Sequence, residues 1–174
     1  MNWLAKIFGS TAQRKQNASS TSPHVEALKV SSYLSESAIA FFPAGPSKQQ
    51  ILGKLIGSLD LGDPNLALKA ILAREDAGGT VIAPGIALPH ARVPGVTTIK
   101  AALGISPSGV VEARLSTPIS IFFLFLAPSD NMKEHLAFLA AVSSLLHSKG
   151  TVSALSTAEN PRAALEIIRQ AERL

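Results

Sequence analysis

The feature that most constrains the fold of this chain is an almost uninterrupted apolar run at residues 119–127, ISIFFLFLA. The run is too short to span a bilayer as a helix, which needs about 20 residues. A strand with a continuously apolar sequence has both faces covered, because its alternate side chains point to opposite sides of a sheet. Residues 119–127 therefore predict the central strand of a sheet that carries helices on both faces.

Sequence signals for helix starts surround this strand. A polar residue that accepts a hydrogen bond from the first turn, or a proline at the first helical position, commonly begins a helix. Such starts lie at Ser47 with Gln50 three residues later, at Asp63-Pro64, at Asn131 or Asp130, and at Asn160-Pro161. The apolar residues that follow recur at helical spacing, so four helices are predicted, with one further short helical turn at residues 151–155.

Further strands are predicted at residues 30–42, which reach a turn at residues 43–46, and at residues 100–106. Because helices and strands alternate, the chain predicts an α/β fold, a three-layer domain with a sheet flanked by helices on both faces. The domain is expected to cover residues 27–174. Residues 1–26 are expected to form a flexible N-terminal extension and linker.

The first ten residues, MNWLAKIFGS, would as a helix place their bulky apolar side chains on one face. Two interpretations stay open: a tail that docks weakly or not at all, or a helix that contacts a membrane surface or a partner. The segment lacks the basic start, longer apolar run and cleavage site of a secretory signal. Residues 11–23 are polar and rich in Ser and Thr, which is typical of a linker.

Composition excludes several classes of function. The formal charge is +4, but residues 1–23 carry three bases and no acid, so the remainder has 13 basic and 12 acidic residues. With scattered bases and only nine aromatic residues, the chain has no stacking platform for nucleic acid. The absence of cysteine excludes disulfides, thiolate metal sites and a cysteine phosphocarrier in this chain, and it is compatible with a cytoplasmic protein.

The candidate chemistry centres on residues 74–92, REDAGGTVIAPGIALPHAR, where three glycines and two prolines predict a bent, rigid backbone. His90 follows directly after Pro89. A neutral imidazole is a good nucleophile near pH 7 and forms a labile phosphoramidate, so His90 suits a site that takes up and passes on a phosphoryl group. The phosphoryl oxygens need donors, and an arginine such as Arg74 and a second histidine such as His135 would serve.

Each of these residues also has an ordinary interpretation. Taken alone, His90 is a structural histidine in a proline-rich turn, His135 is a solvated residue in the first turns of a helix, and Arg74 complements a helix dipole. A metal site made by both histidines with Asp130 or Glu134 is a further alternative. Against it, the chain has no His-x-x-x-His pair, and adjacent residues such as Glu134 and His135 point about 100° apart on a helix.

Two separated stretches carry a family resemblance. The string R-E…G-T-V-I…G-I-A-L-P-H-A-R resembles the active-site segment of the IIA domains of the bacterial phosphoenolpyruvate-dependent phosphotransferase system, in the fructose, mannitol and nitrogen-regulatory branch. T-P-I-S-I-F-F-L-F-L-A-P-S-D-N-M-K-E-H-L-A-F-L resembles the strand, turn and helix that bring the family's second histidine to the first. The likeness runs from about residue 28 to the C-terminus.

The resemblance implies a mixed sheet flanked by helices and a role for each candidate residue. By that likeness His90 is the phosphorylated histidine, His135 its neighbour and Arg74 the arginine that holds the phosphoryl oxygens. One departure is Leu115, which stands where many relatives have an acidic residue, so the contacts of that loop are expected to differ.

The implied function is that of a phosphocarrier, a phosphotransferase that needs no cofactor or metal. It would accept a phosphoryl group from an HPr-type protein and pass it to a IIB-type acceptor in sugar uptake. An alternative is a regulatory protein of the nitrogen-related branch, whose phosphorylation state controls binding to kinases or transporters. The sugar, the downstream acceptor and the phosphorylated ring nitrogen are not fixed by the sequence.

Overall fold

The computed structural model describes residues 28–43, 45–113 and 115–173. The helix considered for residues 1–10 and the linker expected at residues 11–23 lie outside the described residues. The domain boundary expected at residue 27 falls at the edge of the described part and stays a prediction.

The sheet contains six strands in the described part of the chain, and the predicted central strand lies inside it. The strands are β1 (Ile39–Phe41), β2 (Val81–Ala83), β3 (Ile86–Ala87), β4 (His90–Val93), β5 (Lys100–Val110) and β6 (Ile119–Pro128). Their order is β1-β5-β6-β3-β2, with β4 also paired to β6. Strand β6 is antiparallel to β5 on one side and parallel to β3 and β4 on the other, while β1 is parallel to β5. The sheet is therefore mixed, as expected.

Among the described residues, five α-helices cover the sheet. They are α1 (Lys48–Gly57), α2 (Pro64–Asp76), α3 (Met132–His147), α4 (Lys149–Ser156) and α5 (Pro161–Ala171). The predicted starts are confirmed: Ser47 and Gln50 form a reciprocal capping box, and the side chain of Asn131 caps α3. Within the described part of the chain, every helix is too short or too polar to cross a membrane.

Strand β6 separates two hydrophobic clusters, which explains its continuous apolarity. Phe123 and Phe125 pack with residues of α3, α4 and α5, whereas Phe122 and Leu124 pack with residues of α1 and α2. All four side chains are fully buried. Because neighbouring residues of a strand face opposite sides, only an apolar sequence satisfies both layers. The predicted three-layer α/β architecture is confirmed.

The prediction of a strand over residues 30–42 is wrong for its first half. Only Ile39–Phe41 pairs with the sheet, and Val30–Tyr33 and Glu36–Ala38 form short 3₁₀ turns. The hydroxyl and amide of Ser31 both donate to the carboxylate of Glu172, at 2.5 and 2.9 Å. This amide is therefore committed to the last turn of the domain and does not enter the sheet. The helical turn predicted at residues 151–155 is the longer helix α4, and the strand predicted at residues 100–106 extends to Val110.

Candidate functional site

His90 is the first residue of β4, and the central strand fixes its position. It lies opposite Phe125 in the parallel ladder between β4 and β6, and the amide of Phe125 donates to the carbonyl of Pro89 at 3.0 Å. The imidazole stacks on the Phe125 ring, with centroids 5.4 Å apart and ring planes 12° from parallel. Backbone pairing and ring stacking therefore hold His90 in a single orientation.

The hydrogen bond at Nδ1 of His90 determines which ring nitrogen can react. Nδ1 lies 2.7 Å from the carbonyl oxygen of Leu88. A carbonyl only accepts, so Nδ1 carries the proton and, in the neutral ring, Nε2 keeps the lone pair. Burial lowers the pKa of His90 below its ordinary value, and the positive charge of Arg74 adds to this, although the Leu88 carbonyl opposes it. The ring is thus neutral near pH 7, with Nε2 free to act as a nucleophile.

His135 is brought to His90 by the start of α3. The side-chain oxygen of Asn131 accepts from the backbone amide of Glu134 at 3.1 Å. The backbone carbonyl of Asn131 accepts from the backbone amide of His135 at 3.2 Å. The centroid of the His135 imidazole lies 5.4 Å from the ring centroids of both His90 and Phe125. Two residues that are 45 positions apart therefore share one aromatic cluster.

The environment of His135 differs from that of a solvated helix residue. Only 8% of it is exposed, and its buried Nδ1 has no hydrogen-bond partner among the described residues. Burial lowers the pKa of His135, and repulsion from the protonated form of His90 and from the positive charges of Arg92 and Arg74 lowers it further. A buried polar atom without a partner is rare in folded proteins and is often found at functional sites. The interpretation of His135 as a solvated residue is therefore wrong for this structure.

Arg74 occupies the last turn of α2, where the sequence places it. Its guanidinium donates to the carbonyl of Gly79 at 3.2 Å, and its side chain is exposed. Its charge reaches the site, since it lowers the pKa of both His90 and His135. The structure thus places all three predicted residues in one electrostatic environment, with the two histidines in direct contact.

Arg92 is a further site residue that the sequence analysis gave no role. It lies two positions after His90 in β4, so both side chains point to the same face of the sheet. Its guanidinium donates to the carbonyl of Ser129 at 3.2 Å, and its charge lowers the pKa of His135. The strand alternation in Pro-His-Ala-Arg was the signal that could have identified it.

The metal alternative finds no support in the geometry. Within residues 28–173, leaving out 44 and 114, no three His, Cys, Asp or Glu side chains converge as metal ligands. Glu134, one of the proposed ligands, instead accepts from the side-chain amide of Asn131 at 2.8 Å. The two arginines give the site a positive charge while both histidines are neutral, which suits an anion rather than a metal ion.

Comparison with known proteins assigns the chain to a family. The family model described as "Phosphoenolpyruvate-dependent sugar phosphotransferase system, EIIA 2" matches residues 32–171. The chain belongs to this family. The membership confirms the resemblance carried by residues 74–92 and by the strand, turn and helix that follow.

Relatives of this EIIA 2 chain include proteins of two kinds. It is 30% identical over 148 residues to the PTS system fructose-specific EIIABC component of Bacillus subtilis (strain 168). The aligned residues make up 82% of this chain but only 23% of that protein. It is 28% identical over 130 residues to a nitrogen regulatory protein of Pseudomonas aeruginosa, covering 72% of this chain and 84% of that protein.

The fold also matches one chain of a solved complex of enzyme IIA-Mtl and phosphorylated enzyme IIB-Mtl from Escherichia coli. The TM-score is 0.63 at 18% identity, over 79% of this chain and 97% of that chain. At this identity the match shows the shared fold.

Arg92 should affect the pKa of His135 more than the pKa of His90. We predict that Arg92→Gln raises the pKa of His135 and changes the pKa of His90 less, because removal of a positive charge favours the imidazolium form of its neighbour. An NMR titration of the imidazole resonances measures both values. Arg169→Gln in α5 is a matched control, since Arg169 is exposed and pairs with Glu166. An unchanged pKa of His135 in Arg92→Gln would contradict the assigned geometry.

Proposed function

We propose that this chain is a phosphocarrier in which His90 takes up a phosphoryl group from the phosphohistidine of an HPr-type protein. The observation that carries the proposal is the hydrogen bond between Nδ1 of His90 and the Leu88 carbonyl, which leaves the lone pair of the neutral ring on Nε2. In the transfer, the lone pair of Nε2 forms the new P–N bond as the P–N bond of the donor breaks. The electron pair of the broken bond returns to the donor imidazole.

The surrounding residues supply what the transferring group needs. Its charge is spread over three oxygens in the transition state, so catalysis depends on positioned donors rather than on covalent chemistry. In this proposal Arg74 holds the phosphoryl oxygens and His135 donates a hydrogen bond from its ring. The lowered pKa of His135 keeps its ring neutral before the phosphoryl group arrives. The dianion then compensates the cationic surroundings.

A IIB-type protein is the proposed acceptor of the phosphoryl group. The solved relative in complex with phosphorylated enzyme IIB-Mtl supports this, because it shows that the shared fold can dock such a partner. Transfer from His90 to a IIB protein would place this chain in sugar uptake.

A regulatory role is the second candidate function, and its support is that the relatives include nitrogen regulatory proteins. Phosphorylation would add about two negative charges at a surface formed by two arginines and two histidines, which would change its electrostatic potential strongly. A partner such as a kinase or transporter could then distinguish the two forms.

The phosphocarrier proposal predicts that uptake depends on His90. We expect His90→Ala to abolish phosphoryl uptake from phosphoenolpyruvate, enzyme I and HPr, because no other nucleophile replaces Nε2. We expect His135→Ala to slow uptake by on the order of 10²-fold through loss of one donor. His147→Ala is a matched control, since His147 caps the far end of α3 by contacting the carbonyl of Ser143. Uptake by His90→Ala at the rate of the unsubstituted protein would rule out the proposal.

The sugar-uptake proposal and the regulatory proposal can be distinguished by what happens to the phosphoryl group after uptake. The sugar-uptake version predicts transfer from phosphorylated protein to a cysteine of a IIB protein, measured by loss of label from this chain. The regulatory version predicts that a kinase or transporter is retained by only one of the two phosphorylation states in a pull-down. Efficient transfer to IIB without state-dependent retention would contradict the regulatory version.

A further inference from the structure

Glu75 is a buried acid directly beside Arg74 to which the proposed transfer assigns no role. Its side chain is 9% exposed, although it carries a charge. One carboxylate oxygen accepts from the hydroxyl of Thr80, and the other lies 2.5 Å from Nζ of Lys48. Charged side chains are seldom buried without a partner, and here both oxygens are satisfied. These contacts with Thr80 and Lys48 hold the carboxylate of Glu75 in a fixed position.

The backbone of Glu75 connects this position to Arg74. Its carbonyl accepts from the amides of Gly78 at 3.3 Å and Gly79 at 2.7 Å, which closes the end of α2. Gly79 has a φ of +67°, a left-handed conformation that glycine adopts without strain. The carbonyl of the same Gly79 accepts from the guanidinium of Arg74. These bonds are made by the backbone. The side chain of Glu75 reaches the same turn through the hydroxyl of Thr80, which follows Gly79 directly, and so helps to fix the carbonyl that orients the arginine.

The side chain of Glu75 connects to His90 through a second path. Its partner Thr80 is 4% exposed, and the carbonyl of Thr80 accepts from the amide of Leu88 at 2.8 Å. The carbonyl of Leu88 in turn accepts from Nδ1 of His90 at 2.7 Å. Three hydrogen bonds, joined through the residues Thr80 and Leu88, therefore link the carboxylate of Glu75 to the ring of His90.

We propose that Glu75 is a positioning residue for phosphoryl transfer: it anchors the turn that orients Arg74 and, through Thr80 and Leu88, the hydrogen bond that selects the reactive nitrogen of His90. The inference rests on the proposed function of His90. In the described part of the chain, the side chain of Glu75 makes no hydrogen bond to the imidazole, and its positioning effect is exerted through Thr80 and the backbone that follows.

Electrostatics give Glu75 a second influence on His90. Its negative charge raises the pKa of His90, opposing the lowering by burial and by Arg74. His135 from α3 faces the same ring. Hydrogen bonds and ion pairing with Glu112 and Glu75 raise the pKa of Lys48 despite its burial, so Lys48 remains a cation beside the acid. Removal of the charge of Glu75 should therefore lower the pKa of His90.

Glu112 provides an internal control for the ion pair alone. Its carboxylate lies 2.8 Å from the same Nζ of Lys48, so both acids share one cation at the wall of a cleft of about 710 Å³. Leu115, the departure from the family pattern, lines the same cleft. No hydrogen bond joins the Glu112 side chain to Thr80 or Gly79 in the described part of the chain. A role that depends only on the ion pair would therefore appear equally in Glu112→Gln and Glu75→Gln.

The experiment compares Glu75→Gln and Thr80→Val with two controls, Glu112→Gln and Glu172→Gln. Glu172 is a matched control because its carboxylate also accepts two hydrogen bonds, both from Ser31. Thr80→Val keeps the charge of Glu75 and removes only the hydroxyl. The first measurement is the pKa and tautomer of His90 by NMR in the unphosphorylated protein. The second is the rate of phosphoryl uptake from HPr, with chemical unfolding as a check that each variant is folded.

We expect Glu75→Gln to lower the pKa of His90 and to reduce uptake by on the order of 10- to 100-fold, as displaced catalytic groups commonly do. Thr80→Val should also slow uptake and should change the pKa of His90 less. Both controls should stay within about twofold of the unsubstituted protein. Glu75→Gln with unchanged His90 resonances and unchanged uptake would overturn the inference. If the unsubstituted protein takes up no phosphoryl group, the proposed function fails, and the NMR comparison alone decides whether Glu75 positions His90.

Discussion

The site depends on the hydrogen bond between Nδ1 of His90 and the carbonyl of Leu88. Without it, either ring nitrogen could carry the proton, and the tautomer with a protonated Nε2 would have no lone pair there for the proposed transfer. The 2.7 Å contact commits one nitrogen to the backbone and leaves the other as the nucleophile. The bond is available because Leu88 and Pro89 lie against β6, where the Pro89 carbonyl accepts from Phe125.

The central strand provides the common frame for both halves of the site. Phe125 stacks on His90 and also contacts His135 and Phe138 of α3. Burial of Phe125 and Phe138 in the same hydrophobic cluster fixes α3 against the sheet. The hydrophobic core and the distance between the histidines are therefore set by the same packing, so a change in the core around Phe125 is also a change in the site.

Local signals made much of the fold predictable from sequence. The caps at Ser47 and Asn131 involve partners three residues away in the sequence. The continuous apolar sequence of β6 is sufficient to predict that both of its faces are buried. The turn at Val30–Tyr33 was not predictable, since it depends on Glu172 at the other end of the chain. The three candidate residues came largely from a family resemblance. The burial of His135 and the connections of Glu75 arise from tertiary packing, which no local pattern encodes.

The account rests on one atom, Nε2 of His90, and the measurement that tests it most directly is the assignment of the phosphorylated nitrogen. The protein is labelled with ¹⁵N in its histidines, phosphorylated through HPr, and studied by ¹⁵N and ³¹P NMR. The structure predicts a single phosphohistidine, at His90, with the phosphorus bonded to Nε2 and the proton retained at Nδ1. Phosphorylation at Nδ1, or at His135, would contradict the role given to the Leu88 carbonyl and with it the account of the site.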